Sequence, residues 1–90
     1  MTAREIKITL ALLNYLHGLD GGQASELQIH AHAFAAFDGP KPGAAELSAA
    51  LANADTRRWV TKVVNKLNER LVKYNITDAG ESVRLDLLNE

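Results

Sequence analysis

The chain has no cysteine in its 90 residues. Neither a disulfide nor a thiolate zinc site can staple it, so its fold must rest on apolar burial alone. A chain of this length buries about 60–65% of its unfolded surface, enough for one core and too little to wrap a large cofactor. Apolar residues are 47% of the sequence and charged residues 23%, which supplies such a core and excludes a disordered, solvated chain. The expectation is a single domain over residues 1–90 with no cofactor.

The N-terminus, Met1-Thr2-Ala3-Arg4-Glu5, runs into a charged segment with no apolar stretch suited to a signal peptide. No window approaches the roughly 18 apolar residues of a membrane span. The Asn75-Ile76-Thr77 sequon carries no weight without a secretion signal. A cytoplasmic protein without a membrane partner is expected.

Hydrophobic periodicity predicts a helix from Thr2 to His17, with Ile6, Leu10, Leu13 and Leu16 as its inward stripe and Ile8 and Leu12 widening it. Gly18 and the Asp20-Gly21-Gly22 run stop it. A second helix is predicted from about Gln23 to Phe37, capped near Ser25, burying Leu27, Ala31, Phe34 and Phe37. Asp38-Gly39-Pro40-Lys41-Pro42-Gly43 breaks the chain as a rigid turn. A third, alanine-rich helix starts at Ala44 or Ala45, with Leu47, Ala50, Leu51 and Ala54 facing inward.

The segment from Thr56 to Thr77 satisfies two patterns. As a helix it gathers Val60, Val63, Val64, Leu67, Leu71 and Tyr74 on one side, beside a basic stripe. As a hairpin it sets Trp59 to Val64 against Leu71 to Thr77, both rich in β-branched and aromatic residues, with Asn65 and Asn68 available for the turn. Periodicity does not separate them. Residue composition favours the hairpin, in which Trp59 and Tyr74 would meet as a cross-strand pair. Beyond it, Thr77 is placed to cap a last helix, with Asp78 and Glu81 near its positive end.

Three helices, a β-hairpin and a closing helix make a mainly α fold with a small β element, and this order resembles the winged helix-turn-helix of small bacterial or phage-type proteins. Trp59-Val60 resembles the strand that leaves the third helix of such folds. Tyr74-Asn75-Ile76-Thr77-Asp78-Ala79-Gly80 looks like the element that closes the wing in MarR-like and PadR-like regulators. The resemblance implies that the third helix enters the major groove of DNA while the wing touches the backbone or minor groove.

The residues themselves qualify that implication. The outer positions of the third helix are Glu46, Ser48, Asn53, Asp55 and Thr56, without Lys or Arg before Arg57. Only Asn53 belongs to the usual base-reading types. The net charge is −1, yet six of the ten Lys and Arg residues (Arg57, Arg58, Lys62, Lys66, Arg70 and Lys73) fall between positions 57 and 73, against one acid, Glu69. Such a cluster is an electrostatic footprint for phosphates, and it equally fits solvated positions on an exposed hairpin. The candidate DNA-contacting residues are therefore Asn53, Thr56, Arg57, Arg58, Lys62, Lys66, Arg70 and Lys73.

Other chemistry has little support. Glu26 and His30 share a helix face, but His32 lies about 200° around from His30 and His17 would come from another helix, so no metal site is expected. Ser25, Ser48 and Ser82 sit in no nucleophile elbow, and the glycines form no phosphate loop. No carboxylates pair for acid–base work. The aromatic residues read as core rather than as stacking platforms. No enzyme is expected.

Two functions compete. The first is a DNA-binding module, a transcriptional regulator or accessory domain bound to double-stranded DNA. It would form a homodimer through the first and last helices, using Ile8, Leu12, Leu85 and Leu88. The alternative is a protein-interaction module that keeps the shape without binding DNA.

Overall fold

The computed structural model describes residues 1–89, with residues 68–70 described by backbone only. Among the described residues the elements are α1 (Ala3–Gly18), β1 (Ala24–Ser25), α2 (Glu26–His32), α3 (Ala44–Thr56), β2 (Val60–Asn65), β3 (Asn68–Ile76) and α4 (Asp78–Leu88). The strands form one antiparallel sheet in the order β1-β3-β2.

α1 begins where Thr2 and Glu5 cap each other. Glu5 N–H donates to Thr2 Oγ1 at 3.1 Å, and Thr2 N–H donates to Glu5 Oε1 at 3.0 Å, satisfying two otherwise unpaired donors. Its buried face is Ile8, Thr9, Leu12, Leu13 and Leu16, rotated from the predicted stripe. Ile6 and Leu10 are only half-buried. So many positions of this helix are apolar that the packing of α3 and the sheet selects the inward face. Ile8 and Leu12 are consequently core residues, buried to 3% and 0% exposure, and unavailable to a dimer seam.

α2 departs most from expectation. Ser25 is its cap, accepting from Gln28 N–H at 3.2 Å, but the helix ends at His32. Ala24 and Ser25 pair with Tyr74 and Lys73 of β3, so the residues just before the cap are a strand rather than a first helical turn. Ile29 is the buried residue of α2, while Leu27 stands 79% exposed and Ala31 is exposed too. After His32 the chain continues in turns that bring Phe34 and Phe37 edge to face, centroids 5.7 Å apart. Phe34 is buried and Phe37 half-buried.

α3 buries Leu47, Leu51 and Ala54, as its spacing predicts, with Ala50 half-buried. Arg4 of α1 holds its start: Arg4 Nε lies 2.7 Å from Glu46 Oε2, Nη2 donates to Oε1 at 3.0 Å, and Nη1 donates to the Pro40 carbonyl at 3.1 Å. The hydrogen bond from Arg4, reinforced by the Gly43 N–H, holds the Glu46 carboxyl below the usual glutamate range. This clamp is intact above the ordinary glutamate pKa and is lost as pH falls through the lowered one.

The ambiguous segment is a hairpin. Val60 faces Ile76, Lys62 faces Tyr74 and Val64 faces Val72, so Val60, Tyr74 and Ile76 turn together toward the core with Ala24 of β1. Trp59 precedes the first paired residue and Tyr74 lies opposite Lys62. The expected Trp59–Tyr74 pair therefore does not form. Asn65 makes the tight turn, its Oδ1 accepting from Leu67 N–H at 2.9 Å.

Candidate nucleic-acid interface

The surface in question is built where α3 hands over to the hairpin. α3 ends in a Schellman arrangement: Trp59 N–H donates to Ala54 O at 2.9 Å and Arg58 N–H to Asp55 O at 3.0 Å. The left-handed position that this motif normally gives to glycine is held by Arg58, at φ 63°. A non-glycine residue there costs about 1–2 kcal/mol, so the chain keeps a cation where the backbone favours none.

The hairpin is locked at its base by the Thr77 to Gly80 element. Thr77 N–H donates to Trp59 O at 3.0 Å, and its hydroxyl reaches the Arg58 and Trp59 carbonyls at 2.6 and 3.0 Å. The same oxygen accepts from Gly80 N–H at 3.0 Å and so caps α4. A Cβ on Gly80 would lie 2.1 Å from the Trp59 carbonyl oxygen, so only glycine lets α4 come this close. The motif that carried the family resemblance thus has a structural duty.

The candidate contact residues are differently placed. Asn53 and Thr56 are turned to internal use: Asn53 Oδ1 accepts from Arg57 Nε at 3.1 Å, and Thr56 Oγ1 donates to Ala52 O at 2.9 Å. Arg57 also lies over the Trp59 ring, 5.2 Å from its centroid. Arg58 and Lys62 flank a shallow cleft with Asp55, Thr77 and Asp78. Lys73 emerges on the opposite face of the sheet beside Val63, Asn65 and Leu71, and Lys66 sits at the tip. The backbone of Arg70 belongs to β3, and its side chain lies outside the described residues. The cations thus surround the hairpin rather than forming one continuous face.

Among the described residues, Arg4, Lys7 and Arg84 each meet a carboxylate within 4.0 Å, whereas none of Arg57, Arg58, Lys62, Lys66 and Lys73 does. Sequence reasoning missed the apolar side chains among them. Val63, Leu67 and Leu71 are exposed at 37%, 97% and 51%, and strand alternation at Val63 and Leu71 was the available signal. The histidines are dispersed: His17 meets Glu81 at 2.8 Å, His30 meets the Pro42 carbonyl at 3.1 Å, and His32 stacks on Tyr15. Among the described residues, no helix is long and apolar enough to cross a membrane.

No family model matches the sequence, and no curated protein matches it. Among solved structures it is similar to a cysteine-to-serine mutant of MarR from E. coli, determined in complex with operator DNA. The TM-score is 0.65 at 15% identity, over 97% of this chain and 53% of that one. The chain therefore spans about half the length of that protein. The four helices, the small antiparallel sheet and this likeness together make the fold a winged helix-turn-helix, with β2 and β3 as its wing.

Proposed function

We propose that the chain is a DNA-binding module of regulatory or accessory type, in which the wing makes the phosphate contacts. The carrying observation is the cluster of Arg57, Arg58, Lys62, Lys66 and Lys73 without carboxylate partners among the described residues; of the described Lys and Arg outside it, Arg4, Lys7 and Arg84 are paired and Lys41 is not. Free cations on a projecting hairpin release condensed counterions when they meet DNA. The MarR structure on operator DNA supports the same use of the fold. On this reading residues 1–90 act as one cytoplasmic, non-enzymatic unit. Pairing of two copies through the first and last helices would draw on Leu85 and Leu88, exposed at 51% and 49%.

The test is a fluorescence-anisotropy titration with random-sequence duplex DNA over a range of salt. Binding should weaken steeply with salt, and Lys62→Ala with Lys66→Ala should flatten the log–log slope by about two, near 0.9 per lost phosphate contact. An unchanged slope removes the wing from the interface.

A second reading is favoured by one observation. Val63, Leu67 and Leu71 alternate with Lys66 and Lys73 on the wing, and an apolar surface rimmed by charge suits an acidic protein partner. Absence of DNA binding even at low salt would select it.

A further inference from the structure

If the wing holds DNA, the third helix has little with which to read it. A base edge in the major groove is discriminated by a side chain long enough to offer paired donors and acceptors: Arg or Lys on guanine, Asn or Gln on adenine. The outward positions of α3 are Glu46, Ser48, Asp55 and Thr56 among exposed alanines. Four properties of this surface matter. It carries no cation. Its one amide, Asn53, is half-buried beside α1, with Oδ1 taken by Arg57 and Nδ2 facing the Met1 sulfur at 3.7 Å. The Thr56 hydroxyl donates its proton to the Ala52 carbonyl and can only accept from a base, without a bidentate pair. Of its two exposed carboxylates, Glu46 is held by Arg4, and Asp55 would meet phosphates as a like charge. What remains is Ser48 and a row of methyl groups, which touch thymine methyls but form no bidentate pair.

We infer that the chain holds duplex DNA by its backbone and does not read base sequence: α3 is a smooth shoulder against the groove, and the wing supplies the attachment. The inference rests on the DNA-binding reading above. It assigns the ligand as duplex DNA of any sequence, and it assigns Asp55 as a uniform brake on affinity rather than a cytosine acceptor.

The experiment uses the full chain and anisotropy at about 50 mM salt, a concentration at which phosphate contacts dominate. The probes are an A·T-rich, a G·C-rich and a mixed duplex of equal length, followed by selection from a randomised duplex pool. Affinities should agree within about threefold, and the pool should yield no enriched motif. A single good base contact would instead separate duplexes by about five- to 150-fold. A preference above about tenfold, or an enriched motif, overturns the inference and leaves DNA binding standing. Failure to bind any of the three duplexes overturns the DNA-binding reading itself, and the inference with it. Asp55→Ala and Asp55→Asn should tighten binding to all three duplexes alike. A loss confined to one of them would make Asp55 a base reader and sink the inference. Circular dichroism confirms that both variants are folded.

Discussion

At its base the β2–β3 hairpin places Val60 opposite Ile76, both packed with the core, and ties the pair to α3 and α4 through Thr77 and Gly80. Toward its tip the same ladder carries Val63, Val64, Leu67 and Leu71, each more than a third exposed, among Lys66 and Lys73. Burying a valine or leucine contributes about 1.5–3 kcal/mol, and the distal half forgoes most of that. Folding therefore accounts for the base of the wing. Burial does not account for the composition of the tip, which the proposed function assigns to contact with a partner, and the contrast separates residues that hold the wing in place from residues exposed on it.

Substitutions can break or sharpen this contrast. The largest effect is expected at the base, from Gly80→Ala. The new Cβ would sit 2.1 Å from the Trp59 carbonyl oxygen, forcing α4 away from the wing. Overpacking of this kind costs about 3 kcal/mol, against about 1 kcal/mol returned by the helix propensity of alanine. A melting temperature lowered by roughly 10 °C is the expected result; an unchanged one would mean that the base is not locked as described.

Thr77→Ala should follow, at about 1–2 kcal/mol, because one hydroxyl caps α4 and also reaches the carbonyls of Arg58 and Trp59. Urea denaturation is the suitable measurement. Thr77→Ser, which keeps the hydroxyl, should recover most of the loss.

Arg58→Gly carries the opposite sign. Relief of the positive φ at this position should stabilise the fold by about 1 kcal/mol, while removal of the cation weakens duplex binding. Gain of stability with loss of affinity would identify Arg58 as a residue retained for contact. Loss of stability would show that its side chain supports the turn. The smallest effect is expected at the tip. Leu67→Ser should alter stability by less than about 0.5 kcal/mol, since the side chain is 97% exposed, and a larger loss by thermal melt would mean that the tip belongs to the fold after all.

The features legible in the sequence are those decided by neighbours along the chain. Thr77 was placed as a helix cap because its hydroxyl needs only the next three residues. Ser25 follows the same rule, and the inward face of α3 follows from leucine and alanine at helical spacing. Two misreadings share the opposite origin, and a third, at Asn53, concerns a local contact that the sequence already offered. The face of α1 was ambiguous because Ile6, Ile8, Leu10 and Leu12 all offer apolar surface. The predicted start of α2 was early because Gln23 and Ala24 read as helix until β3, far along the chain, pairs with Ala24 and Ser25, and its end falls at His32 rather than Phe37. Asn53 looked free to read bases until Arg57, one turn on, engaged it.

The sequence by itself determined that this chain would be a small, disulfide-free, mainly helical fold with a capped closing helix and a concentration of cations between positions 57 and 73, and its composition favoured a hairpin there without deciding it. Those properties are local or compositional, and no packing is needed to read them. The tertiary structure decided which face of α1 is buried, where α2 ends, on which sides of the wing Lys62 and Lys73 emerge, and that Gly80 must approach Trp59. Each depends on a pairing between segments distant in sequence. Strand register alone sets the side of the sheet on which a side chain emerges, because a shift of one residue exchanges the two faces.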